Sequence, residues 1–308
     1  MTAEANVANA SAQASKKKAK RGEEKAHSVG AGKGLWVIET IVVIMCFLWL
    51  IPTIGLFVTS LRPRTESNSS GWWNVFANPT QITIENYAEV LTRGSVPMAR
   101  AFINSITVAV PATIIPILIA AFAAYVFTFM EFRGRDVLFI IIVGLLVVPN
   151  QVSFVPLSII FQQIGINGTF ATVWLAHAGF GMPLAVYILR NYMASLPKSV
   201  VESAEIDGAT HWQTFWKLII PMSTPALASF AIFQFLWVWN DLLVALIFLG
   251  QGDNAVLTIA LSQMLGQRGE NWHLLTAGAF ISMVLPLAVF FALQRYFVRG
   301  LTSGAVKG

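Results

Sequence analysis

VLFIIIVGLLVVPNQVSFVPLSIIFQQIGINGTFATVWLAHAGFGMPLAVYIL, residues 137–189, contains no Asp, Glu, Lys or Arg. As a single α-helix it would be about 80 Å long at about 1.5 Å per residue, against a bilayer hydrocarbon core of about 30 Å. Such a stretch has to cross a membrane twice. The turn between the crossings falls at the polar, glycine-containing Gln162-Gln163-Ile164-Gly165-Ile166-Asn167-Gly168-Thr169. Asp136 and Arg190, which bracket the stretch, then stand on the same side.

Working outward, the same reading recurs. Residues 35–58 carry one charge, Glu39, and residues 101–130 carry none. Downstream, residues 218–250 and 274–296 are apolar runs of membrane width. The fold expected is an all-α membrane protein with six transmembrane helices. Composition agrees: of 308 residues, 56% are hydrophobic and 11% charged, where soluble domains have about half and about a quarter. That is too little charge to coat a water-facing globule. A lone Cys46 leaves no intramolecular disulfide, and four scattered histidines beside it offer no metal-ligand spacing, so no metal site is expected.

Residues 1–34 are rich in Ala, Ser and Lys and read as a disordered basic tail, since they cannot offset their ordering entropy by burial. Gly30-Ala31-Gly32-Lys33-Gly34 has the look of a phosphate loop, but His27 stands where the first glycine is needed and Gly34 where a Ser or Thr is needed. With the N-terminus inside, six spans put 15 Lys and Arg on the cytoplasmic side and 5, namely Arg62, Arg64, Arg93, Arg100 and Arg268, outside. Both termini are therefore expected in the cytoplasm. The net charge of +5 follows from that topology, and nucleic acid is not needed; the basic tail also suits contact with anionic membrane lipid. Trp72 and Trp73, in the long outer loop, suit an interfacial belt.

Between spans four and five lies LPKSVVESAEIDGATHWQTFWKLIIP, residues 196–221. Ser195 and Pro197 make a helix start. Val200, Val201 and Ala204 form an apolar face, and the helix ends at Asp207-Gly208. A second helix opens at Thr210, with Gln213 completing a capping box. Trp212, Phe215, Trp216 and Ile219 follow at the spacing of one helical face. Two amphipathic helices hinged at a glycine suit docking into a groove of another protein. They equally suit a hairpin lying on the membrane surface, and patterning does not separate the two.

The segment resembles the cytoplasmic "EAA" loop in permease subunits of binding-protein-dependent ABC importers. The signature stands here as Glu202-Ser203-Ala204, then Asp207-Gly208-Ala209, then Ile219-Ile220-Pro221, with Ser203 in place of the usual middle alanine. The C-terminal GLTSGAVKG (300–308) is similar to the tail of the smaller permease of maltose-type sugar importers. So are Asn104-Ser105, Val148-Pro149 with Gln151 and Pro156, and Trp239-Asn240-Asp241. The resemblance covers residues 35–308 and leaves out the basic tail.

Membership implies a type I importer transmembrane domain in a prokaryotic inner membrane. It divides the chain into the tail (1–34), a permease domain (35–300) and a C-terminal cytoplasmic tail (301–308). It implies four kinds of contact: a second homologous permease, two cytoplasmic ABC ATPase subunits, an extracytoplasmic sugar-binding protein, and lipid. The chain would be no enzyme and hold no cofactor, since ATP and Mg²⁺ belong to the ATPase subunits. Glu202, Ser203, Ala204, Asp207, Gly208, Ala209 and Pro221 would form the coupling element, with Glu202 meeting the ATPase cleft. Gly300, Leu301, Thr302, Gly304 and Lys307 would reach the ATPase dimer interface. The cargo would be a di- or oligosaccharide, and the partner permease would supply most of its membrane site.

Other residues carry less. Asp241 lies about 30 Å beyond Pro221 at about 1.5 Å per residue, which places it near the outer interface in a packing role. His177 is expected to pack or to form hydrogen bonds, and Glu39 to sit at the inner headgroups. Pro111, Pro116, Pro149, Pro156, Pro183 and Pro286 are expected to kink or break spans. A secondary transporter or channel is the alternative, but internal repeats and a membrane-centre carboxylate are missing. An intramembrane enzyme would need HExxH, GxSxG or paired buried Asp, and none is present.

Overall fold

The computed structural model describes the backbone of residues 35–93, 96–264 and 270–305. The basic tail and Lys307 lie outside these residues. The chain forms two units, residues 1–58 and 59–308. The first holds nearly all of α1 (Leu35–Ser60), a 26-residue helix whose one charged residue before its last turn is Glu39.

In the second unit α2 (Arg64–Ser69) and α3 (Glu85–Thr92) precede α4 (Met98–Phe129). Then follow α5 (Arg135–Gly144), α6 (Phe154–Gln163), α7 (Phe170–Ala194), α8 (Lys198–Ile206), α9 (His211–Thr214) and α10 (Ile220–Asn240). The unit closes with α11 (Leu243–Phe248), α12 (Leu257–Met264) and α13 (Trp272–Ala305). No strand occurs among the described residues.

The segment before α4 is folded around Arg62, which is buried and donates to the Glu66 carbonyl (2.9 Å) and the Ser70 carbonyl (3.0 Å). Asn86 on α3 ties it down by donating to the Ser60 and Arg62 carbonyls.

Helices α4 and α7 run in the same direction. Near their starts Trp174 donates to the Thr107 carbonyl at 2.9 Å, and near their ends Thr128 reaches the Arg190 carbonyl. Their contact is lined by small residues, among them Ala112, Ala120, Ala121, Ala124, Ala176 and Ala185, all buried, which lets the backbones approach closely.

Parallel neighbours require an odd number of crossings between them, and that settles the third span. Residues 135–147 and 150–163 meet at 97°. The lower half, α5, packs with the ends of α4 and α7 through Phe139 and Ile142, and the upper half, α6, packs with their starts through Phe154 and Phe161. The bent pair is therefore one broken crossing. The break is at Val148-Pro149, where proline forces the preceding residue out of helical geometry (Val148 ψ 120°). With it the described residues hold up to six spans, the number expected.

One expectation needs correction. The fifth span, expected at residues 218–250, runs from His211 to Asn240. It starts early because a π-turn, Phe215–Ile219, joins α9 to α10 without interruption. The proline ring of Pro221 leaves no room for the normal carbonyl behind it, and a widened turn accommodates this. Having started early, the helix has crossed by Asn240. Asp241 then opens α11, its carboxylate accepting the N–H groups of Val244 (2.9 Å) and Ala245 (3.3 Å).

Of the six prolines expected to kink or break spans, one stands at a break. Pro111 and Pro116 lie inside an unbroken α4, Pro183 inside α7 and Pro286 inside α13. Pro156 sits in the first turn of α6, and only Pro149 stands at a break. A helical proline frees the carbonyl four residues back. Those of Thr107, Ala112 and Ser282 are each taken by a side chain of another helix: Trp174, Gln234 and Trp239.

Candidate functional site

The signature residues fold into a hairpin at the α4/α7 ends. Helix α8 stops in a motif that requires glycine. Gly208 has φ +74°, its N–H donates to the Glu205 carbonyl (3.0 Å), and the Ala209 N–H reaches back to the Ala204 carbonyl (2.9 Å). This is a Schellman C-cap. It assigns backbone work to Ala204, Gly208 and Ala209 and leaves Asp207 as the C-cap residue. Two residues on, the Thr210–Gln213 capping box closes in both directions: Gln213 N–H donates to Thr210 Oγ1, and Thr210 N–H to Gln213 Oε1 at 2.9 Å.

The apolar faces of the hairpin go inward. Val201 and Ala204 on α8 and Phe215 and Ile219 on the π-turn are buried in this chain's own core. Phe122 of α4 is the anchor, stacked on Phe215 at 4.4 Å between centroids and on Trp212 at 5.7 Å, with Trp216 edge-on at 5.7 Å. The Tyr125 hydroxyl lies 3.0 Å from His211 Nδ1. The apolar face that suggested insertion into a partner's groove is thus largely spent on α4 and α7.

What faces outward is polar. Glu202, Ser203, Glu205 and Asp207 are exposed, and among them Ile206 is 86% exposed. Glu202 also lines a cleft of about 400 Å³ whose walls carry both signs: Glu131, Arg135, Arg190, Lys198, Glu202 and Glu205. On its floor side the Arg190 guanidinium lies 4.7 Å over the Phe139 ring. Pro221 is exposed at the start of α10. Gly300, Leu301, Thr302 and Gly304 lie on the last turns of α13, far along the chain from the hairpin.

At the other end, Asn104 donates to the Asp253 and Ala255 carbonyls (2.9 Å each), and Ser105 Oγ accepts the Leu257 N–H (2.8 Å), so this pair anchors the segment leading into α12. His177 is buried and packs edge-on against Trp237 at 4.8 Å. Its Nε2 is 3.7 Å from Asp241 Oδ2, beyond hydrogen-bond range.

Sequence reasoning missed Phe122 and Tyr125, which sit in an uncharged span with nothing local to mark them. It also missed a cavity of about 700 Å³ at the α5/α6 break.

Residues 86–303 match the family described as binding-protein-dependent transport system inner membrane component. The chain is 56% identical to the osmoprotective compounds uptake permease protein GgtD of Synechocystis sp., covering 88% of this chain and 91% of GgtD. It is 58% identical to the alpha-glucoside transport system permease protein AglG of Rhizobium meliloti (89% and 97% covered). With the trehalose transport system permease protein SugB of Mycobacterium tuberculosis the identity is 34% (88% and 96%). A chain of a bacterial alginate ABC transporter has the same fold, with TM-score 0.59 at 15% identity over 84% of this chain and 92% of that one. A helical bundle of this topology, with Glu202-Ser203-Ala204 and Asp207-Gly208-Ala209 at one end, thus belongs to the binding-protein-dependent transport system inner membrane components, the permease family of ABC importers.

Proposed function

We propose that this chain is one of two permease subunits in an ATP-driven importer of α-glucosides, and that residues 198–217 transmit ATPase closure to the membrane. The substrate class rests on the name of AglG, at 58% identity, with that of SugB, at 34%, naming a further sugar of the class. The two ATPase subunits carry ATP and Mg²⁺, a second permease completes the pathway, and an extracytoplasmic protein delivers the sugar. Both termini face the cytoplasm of a prokaryotic cell, and residues 300–308 reach the ATPase dimer.

One observation carries the coupling role: the hairpin is rigidly joined to a span. From His211 to Asn240 the helix is unbroken, and Phe122 clamps its first turns to α4. A force on the exposed Glu202–Asp207 edge therefore moves α10 and α4 as bodies, the rigid-body transition an importer needs.

The test is Glu202→Lys and Gly208→Leu in the assembled transporter. The first reverses a charge at the contact. The second places a side chain at φ +74°, costing about 1 kcal/mol or more. Both should abolish sugar uptake and weaken retention of the ATPase on purification, with insertion and permease pairing intact. A hairpin that merely lay on the membrane would leave Glu202→Lys silent or favoured; normal uptake with normal ATPase retention removes the coupling assignment.

A further inference from the structure

A small cavity lies toward the end of the bundle opposite the hairpin, where α4, α7 and the join between α10 and α11 meet. Its volume is about 10 Å³, about the space that one water molecule requires. Three polar side chains line it: Ser105 of α4, His177 of α7 and Asp241 at the join. The rest of the wall is apolar apart from Trp239, whose indole N–H is already taken by the Ser282 carbonyl.

His177 is 1% exposed, and among the described residues neither of its ring nitrogens has a hydrogen-bond partner. A buried polar group in that condition is costly. Its Nε2 stands 3.7 Å from Asp241 Oδ2, too far for a direct bond and the kind of separation that a water bridges. The Asp241 carboxylate accepts the N–H groups of Val244 and Ala245, and a carboxylate has lone pairs for about four donors. Ser105 is equally incomplete. Its Oγ accepts the Leu257 N–H at 2.8 Å and keeps its own proton to donate. An apolar void of this size would stay dry, but one with two to four polar partners holds water.

We infer that this cavity is the binding site of one structural water, which ties α4, α7 and the start of α11 together. The water donates to the Asp241 carboxylate, accepts the Ser105 O–H and gives a remaining position to His177 Nε2. Three bonds are usual for a buried water. Asp241 is thereby held from two sides, by the α11 N–H groups that it caps and by the water that joins it to α4 and α7. A metal ion does not suit the place, since no group of three His, Cys, Asp or Glu side chains able to hold one occurs among the described residues. A direct ion pair between His177 and Asp241 would leave the Ser105 proton without an acceptor. The inference concerns the packing of this chain and does not depend on which sugar the importer carries.

The first test needs no variant. A map of the assembled transporter in lipid nanodiscs, at a resolution that shows ordered water, should contain a peak about 3 Å from His177 Nε2, the Asp241 carboxylate and Ser105 Oγ. A site without that peak overturns the proposal, and so does an Nε2 in direct contact with Asp241. The second test separates the nitrogen from the ring. His177→Phe keeps a ring of similar shape without Nε2, while the amide of His177→Gln reaches about the same position. The Phe variant should lower the thermal midpoint by about 2–4 °C, and the Gln variant should keep more of the stability. In the His177→Phe background, Ser105→Ala should cost less than it does in the wild type, because both side chains act through the same water. The lost bond to the Leu257 N–H is common to both backgrounds and cancels. A Phe variant as stable as the Gln variant, or strictly additive losses at Ser105 and His177, would each overturn the water site.

Discussion

Pro111, Pro116 and Pro286 each delete a helical hydrogen bond, yet none of their helices breaks. The reason is local bookkeeping of carbonyls. Ser282, freed by Pro286, accepts the Trp239 indole N–H at 3.0 Å, and the Trp239 ring is held by Phe102 and Phe235, each 5.5 Å away. Trp239→Phe keeps an aromatic ring but strands the carbonyl, which should lower stability by about 1 kcal/mol. Adding Pro286→Ala restores a backbone N–H for Ser282, so the double variant should regain much of the loss. The thermal midpoint of the purified transporter reads this. Additive losses in the double variant would show that the proline and the tryptophan act independently.

Among the elements, the proposed coupling route runs through the join between α9 and α10. Sequence patterning places a polar loop before a span; the molecule has one helix through both, widened at Phe215–Ile219. Two glycines inserted between Thr214 and Phe215 would rotate α9 by about 200° relative to α10 and soften the join by about 1 kcal/mol per glycine. The outward edge of α8 is untouched by this change. The expected result is an ATPase that still co-purifies but uptake reduced about tenfold or more. Uptake near the wild-type rate would mean that force reaches the bundle by another route, such as the α8 contacts with the ends of α4 and α7.

At the scale of the whole molecule, the parallel run of α4 and α7 makes the bent α5–α6 pair a single crossing. The Lys and Arg bias, 15 against 5, predicts the orientation in the membrane. In a Cys46→Ser background, single cysteines at Ser11, Gly71 and Ser303 should respond differently to an impermeant thiol reagent on intact cells. Only the one at Gly71 should label. Reaction at Ser11 or Ser303 would reverse the orientation and place the coupling hairpin outside, where no ATP is available.

The residues that could be read directly were those whose behaviour depends on near neighbours in the chain. Charge excluded from residues 137–189 is enough to demand two crossings. The stop at Gly208 and the start at Thr210 are set by glycine's access to positive φ and by a hydroxyl three residues from a glutamine. Where the apolar faces of 198–219 would go was not readable, because their partner, Phe122, is about 90 positions away and looks like any other residue of a lipid-facing span. The same limit moved the end of the fifth span: hydropathy continues to Gly250, but a helix that begins at His211 has crossed by Asn240. It also hid the cavity at the α5/α6 break, since Asn150, Gly179 and Trp237 come together only through the bend at Val148-Pro149. Hydropathy records how each residue prefers its solvent. Which polar groups find a partner inside the bundle is decided only when helices distant in sequence pack, and packing alone gives the Ala112 carbonyl its donor and sets His177 beside Asp241.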